Sequence, residues 1–384
     1  MEPINLYFDI RDIFHSPRLA LSGKKIWIFL RANLFGFTLY WIFSYIAIIL
    51  GGDSLSNALN SHGLYPYVNY LGNVSTISHI VYWIGIAIWI ITIYFACTAV
   101  SRLTHKELNG DDIYSVADAR TFAKNHRYPI ILSWISILLI ALFFYLVATI
   151  FALIGKIPYV GEILFALLYI FYFSGSVFTV YTLIVLITSM IYSPSIVATM
   201  EEDTMGTVFQ SYTITWSQPW RIVLYNLALL PLFVFGVIIF KWFWFSGYKL
   251  INLIFGSDWL MGTKLHNIVG WATDLVKPQF DFCNFMNSVN HNSLLSLQES
   301  AILSGTEYFA GTLVAIVLFI LLMSIFSYGL SILSVGETII FTILKNKCND
   351  EHLGDNYNTI DISNENNVQN DDDLIVEKKD DSTT

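Results

Sequence analysis

Six stretches of this chain each stay mainly apolar for about 20 residues or more, the length a helix needs to cross a hydrocarbon core of about 30 Å. They fall at 26–50, 78–100, 129–154, 163–192, 221–248 and 309–345. Hydrocarbon offers no water to backbone N–H and C=O groups, so such segments must close their hydrogen bonds within themselves as helices. The expected fold is therefore an all-α polytopic bundle of about six transmembrane helices. Composition agrees with this: apolar residues make up 55% of the 384 and charged residues only 13%, more apolar than a soluble surface tolerates. The net charge of −9 is concentrated at one place. Residues 346–384 hold eleven acidic side chains against three lysines, leaving the membrane body near neutral. With few large apolar groups, this segment reads as an acidic, disordered cytoplasmic tail.

Six is even, so both ends lie on one side. Basic residues near span ends are retained in the cytoplasm. Arg11, Arg18, Lys24 and Lys25 precede the first span; Arg102, Lys106, Arg120, Lys124 and Arg127 separate the second from the third; Lys345 and Lys347 follow the last. The opposite connections are poor in them, 51–77 having none and 155–162 only Lys156. A multi-pass protein with both termini cytoplasmic is expected, with 1–25 as an amphipathic cytoplasmic lead-in that lacks a small-residue cleavage site. The fourth span, 30 residues or about 45 Å as a helix, and the sixth exceed one straight crossing. Gly175, Gly311, Gly329 and Gly336 are places where they could bend or pack closely. The long 249–308 connection, with apolar residues at helical spacing, reads as an extracytoplasmic helical insertion in which a second helical stretch at 294–303 follows an Asn-rich turn. The 51–77 loop, with Tyr65, Tyr67 and Tyr70, would join it as a lid.

An amphipathic segment precedes each odd-numbered span, at 8–22, 115–125 and 204–216, and each leads into a Lys-, Arg-, Trp- or Pro-containing turn. Ser115 with Asp118, and the acidic Glu201, Glu202 and Asp203, mark helix starts. Short elbow helices in the headgroup layer are expected, in three elbow-plus-hairpin units. The motif from Tyr192-Ser-Pro-Ser to Glu201, followed by Thr207 to Trp216 and Gln218-Pro-Trp-Arg, resembles a signature of uncharacterised bacterial polytopic membrane proteins. Arg11-Asp-Ile-Phe and Thr338 to Lys345 resemble that group as well. A fainter likeness, on the same Pro, acidic and Trp-Arg pattern, is to the membrane domain of some glycerophosphodiester phosphodiesterases. The resemblance implies a six-span fold, in a bacterial inner membrane, and no activity or site residue.

Ionisable groups inside spans are costly and are functional candidates by default. Arg31 and Glu337 stand out, at similar distances from Lys25 and Lys345, and are the candidate intramembrane ion pair. Ser324, Ser327, Ser331, Ser334 and Thr338, three or four apart, form a polar stripe on one face of the last span, suited to close helix packing. Lys241, Trp242 and Trp244, with Trp220 and Arg221, read as interfacial anchors. The three cysteines, Cys97, Cys283 and Cys348, suggest neither a disulfide nor a zinc site, and the eight histidines lack ligand spacing. No nucleotide loop, serine elbow or zincin helix is present, so neither a catalytic residue nor a cofactor is expected. Membrane lipids are the expected partners, with proteins engaged through the elbows or the outer helices, and nucleic acid is not expected. The favoured function is a non-enzymatic structural, assembly or scaffold subunit. A transporter or lipid-handling protein, or an enzyme on lipid headgroups, is the alternative.

Overall fold

A computed structural model describes residues 7–67, 75–111, 113–257, 259–276 and 303–380, with side chains described as far as Cys348. A 3₁₀ turn at Ile10–His15 leads into α1 (Ser16–Ala20), α2 (Gly23–Leu50), α3 (Leu55–His62), α4 (Thr76–Leu108) and α5 (Val116–Asn125). There follow α6 (Arg127–Ile154), α7 (Val160–Leu167), α8 (Tyr169–Met200), α9 (Thr204–Ser217), α10 (Pro219–Phe255), α11 (Thr263–Val276) and α12 (Gly305–Asp380). Among the described residues all regular structure is helical, and α2, α4, α6, α8, α10 and the Gly305–Cys348 part of α12 are long and apolar enough to cross a membrane. The protein is an all-α, multi-pass integral membrane protein. The acidic segment falls from residue 349 outside the described side chains, and the expected 294–303 stretch, Tyr70 and Cys283 lie largely or wholly outside the described residues.

The start of α2 and the ends of α4, α8 and α12's apolar part all lie toward one end of the bundle, the basic end, and the three elbows sit there too. The first elbow does not rest on the surface. Ile13, Ser16 and Ala20 are buried, the Tyr328 hydroxyl donates to the Pro17 carbonyl at 3.1 Å, and Ser331 donates to the Ala20 carbonyl at 3.0 Å. The second and third elbows are helices because their first turns are capped. Ser115 accepts the Asp118 N–H at 3.1 Å, and the Asp203 carboxylate accepts the Gly206 N–H at 2.7 Å, each satisfying an amide that the helix cannot.

The last helix is the hub. α12 packs on α1, α2, α4, α8, α10 and α11, and Ile332, Val335, Ile339, Ile340 and Phe341 on it are fully buried. Glycine permits the closest approaches. Gly329 and Gly336 on α12 receive Phe233 and Leu229 of α10, where a Cβ would collide, and Gly236 on α10 receives Ile332 in return. Gly311 receives Trp271 of α11 in the same way, whereas nothing lies near Gly175. α6 and α8 pair with each other, and α8 reaches the bundle through its second half, where Val185 and Tyr192 to Ala198 are buried. Beyond that level their far halves and α7 leave Phe143, Leu153, Ile163 and Phe171 uncovered for lipid.

Two spans differ from expectation. The fourth begins at Tyr169, after a break that sets α7 apart, and runs on through Pro194 to Met200. Proline has no N–H to give the carbonyl four residues back, that of Met190. The Tyr94 hydroxyl donates to that carbonyl at 2.6 Å, so α4 supplies what the helix lacks. The fifth continues past Tyr248 to Phe255, so the apolar residues at 250–254 extend α10 and form no separate outer helix. At the far end Tyr65 donates to the Val276 carbonyl at 3.0 Å, joining the 51–67 loop to α11 over an aromatic cluster of Phe37, Tyr40, Trp89 and Phe319.

Candidate functional site

The polar stripe of α12 lies along the interior seam. Ser327 and Ser331 are fully buried, as is Thr338, and Ser324 and Ser334 are nearly so. Each hydroxyl hydrogen-bonds. Ser324 donates to Leu321 O at 2.7 Å, and Ser327 donates to Met323 O while accepting Asn33 Nδ2 at 3.0 Å. Ser331 reaches the first elbow, Ser334 donates to the Cys97 carbonyl at 3.1 Å and lies 3.3 Å from Ser101 Oγ, and Thr338 lies 3.4 Å from Ser195 Oγ. One face of one helix thus touches α1, α2, α4 and α8 through hydroxyls short enough to let backbones approach. Asn33, wholly buried, also accepts the Trp89 indole N–H at 3.3 Å.

Two ion pairs close the basic end. Lys25, with no exposed surface, donates to Glu107 Oε2 at 2.6 Å and to the Leu19 carbonyl at 2.9 Å, joining the first elbow, α2 and α4. Arg102 donates through Nη1 to Ala198 O at 2.9 Å and through Nη2 to Glu201 Oε1 at 2.5 Å, and its guanidinium lies 4.4 Å from the centre of the Phe122 ring. It therefore holds α4, α8 and α5 together. Glu201 sits in the left-handed region, φ 57° and ψ 28°, where it ends α8. Its bond to Arg102, helped by that guanidinium's charge, holds its carboxyl below the usual glutamate range. Lys347 adds an exposed contact to Asp9 at 3.3 Å.

The structure does not bring Arg31 and Glu337 together. Asn33 faces Ser327 of α12, and Arg31, two residues earlier, points about 200° away around the helix. Depth separates them as well. Glu337 lies ten residues, about 15 Å, from the Ser327 level, whereas Arg31 lies only about 3 Å from Asn33. Counting from Lys25 and Lys345 misplaced them because those lysines do not sit at one depth in the bundle. Glu337 instead faces α4 and α8, partly exposed, in electrostatic reach of Tyr94, Cys97 and Tyr192, and makes no hydrogen bond or ion pair among the described residues.

No family model, curated protein or solved structure matches this chain.

Arg31 lines a groove of about 560 Å³ between α2, α4 and α5, shared with Arg120, Lys124 and Arg127. Trp220 and Trp242, expected as anchors, are 22 steps apart on α10, a rise of about 33 Å, which is close to one core thickness. Both tryptophans are exposed, as is Phe243, and Trp244 is partly so. The Arg221 guanidinium lies 5.7 Å from the Trp220 ring, and Lys241 lies 5.5 Å from that of Phe245. Cys97 and Cys348 are free thiols, the latter 3.1 Å from Ser217 Oγ. Sequence reasoning passed over Asn33, and also Asn226, which donates to the Tyr192 hydroxyl at 2.6 Å. Both are single amides inside apolar runs, which was the available signal. It also passed over Glu107, an acid among basic residues at a span end, and read Glu201 only as part of an acidic helix start.

Proposed function

We propose that this protein is a non-enzymatic scaffold or assembly subunit of a membrane complex, with its basic end and both termini in the cytoplasm. The observation that carries this reading is the use made of the interior polar groups. The α12 stripe and the Lys25 and Arg102 pairs are spent on holding helices to one another, which produces a fixed frame. Positive charge at the basic end supports the orientation. The elbows would be the contact surface: Met205, Phe209 and Trp216 face outward from α9, and all three are well exposed. The likeness to uncharacterised bacterial polytopic proteins suits this reading and adds no activity to it.

A second reading has one specific observation behind it. Glu337 is a carboxylate with no ion partner among the described residues inside the bundle, and such groups serve proton or solute paths in transporters. One pair of measurements separates the readings. A photoreactive amino acid at Phe209 or Trp216, activated in native membranes, should give a discrete adduct with one protein, at a mass above the 43.8 kDa of the lone chain. Adducts with lipid alone would overturn the scaffold reading. Proton or solute flux in proteoliposomes that Glu337→Gln abolishes would establish the second.

A further inference from the structure

The groove between α2, α4 and α5 differs from the α12 stripe and from the Lys25 and Arg102 pairs, because its charges are not used to hold helices together. Arg31, Arg120, Lys124 and Arg127 converge on its rim, and none of the residues that line it is acidic. Among the described residues none of the four forms an ion pair; Arg127 donates to the Tyr128 hydroxyl at 3.2 Å, with its guanidinium 4.9 Å from that ring's centre. Arg120 Nη2 is buried with no hydrogen-bond partner, and the burial and the nearby Arg31 charge push that guanidinium below its ordinary range. A buried donor left empty and cations facing one another both cost free energy that an anion would recover. Below the rim the lining turns apolar. Phe35, Phe95 and Ala96 continue it along α2 and α4, towards the membrane centre, and Phe35 is exposed beside it. Its volume lies within the usual range of small-ligand sites, roughly 300–1,000 Å³.

We propose that this groove is a binding site for an anionic glycerophospholipid of the leaflet at the basic end. The phosphate sits among Arg31, Arg120, Lys124 and Arg127, and an acyl chain runs down over Phe35 and Phe95. The geometry favours a lipid over a free anion, because the charged rim opens onto an apolar track within a membrane span and basic pockets between helices suit anionic headgroups. The site is independent of the scaffold reading, since it needs no protein partner.

The test uses the full chain purified in a mild non-ionic detergent, stripped of lipid, and titrated with phosphatidylglycerol, phosphatidylcholine or inorganic phosphate. Bound lipid is counted by native mass spectrometry and melting is followed by tryptophan fluorescence. Phosphatidylglycerol should bind with a defined stoichiometry and raise the melting temperature, and the other two should do neither. Each cation near an anionic headgroup is worth roughly fivefold in affinity, so Arg31→Gln with Arg120→Gln should weaken binding on the order of 25-fold. Lys156→Gln, an exposed change at the far end, should leave binding as it was. If the double variant does not assemble, Arg31→Gln alone, at an exposed position, should still show the fivefold loss. Equal stabilisation by phosphatidylcholine, full competition by inorganic phosphate, or an equal loss in Lys156→Gln would overturn the proposal.

Discussion

At the residue scale the two ion pairs at the basic end make different demands. Lys25 is fully enclosed and its partner Glu107 largely so, and removing one member of such a pair strands the other. Lys25→Met should cost about 3 kcal/mol, seen as a lower melting temperature in detergent. Adding Glu107→Leu to it should recover part of that loss in a double-mutant cycle; additive effects would mean that the two do not couple. Glu201 is half exposed, so pH is its better test. Its folded carboxyl titrates below the ordinary 4.5, so its stabilising contribution is complete above that value and is lost as pH falls through the lower, folded one. Wild type should therefore lose melting temperature more steeply than Glu201→Gln below about pH 4.5. Parallel curves would remove Glu201 from the account. Sequence alone pointed to polar residues in costly places but paired them wrongly. Arg31 and Glu337 are each where the spans put them; their partners depend on helix rotation and depth, which span ends do not specify. The hydroxyl stripe was legible because spacing of three and four fixes a face regardless of neighbours.

At the element scale, apolar length located all six spans, and capping chemistry located the second and third elbows. What escaped was compensation between elements. Pro194 reads as a helix stop, and the helix passes it because Tyr94, a hundred residues earlier, completes the Met190 carbonyl. Tyr94→Phe should then cost about 1–3 kcal/mol. In a Pro194→Ala background, where an N–H is restored, the same change should cost much less. Equal costs in both backgrounds would show that the hydroxyl does not serve the proline. Local pattern likewise marked Gly175, Gly311, Gly329 and Gly336 for bending or close packing, and the structure seats a neighbour on the last three and none on Gly175. Gly336→Val should displace Leu229 and weaken the α10–α12 contact, lowering thermal stability, whereas Gly175→Val, in open space, should not. The melting temperatures of the two variants make the comparison.

For the whole molecule, topology is the property that the sequence states most plainly. A single cysteine at Ser61, in a background lacking native thiols, should react with an impermeant maleimide on intact cells. One at Asn109 should react only after permeabilisation. The reverse pattern would invert the orientation and place the basic groove in the opposite leaflet. The seating of the first elbow bears on how the chain is made. Its acceptors at Pro17 and Ala20 meet donors 311 residues later, on the last span. At roughly 5–20 residues per second, a ribosome needs about 15 to 60 s to produce them. Full docking of the earliest segment therefore waits for the last span, because a chain that stops short of Tyr328 lacks both donors.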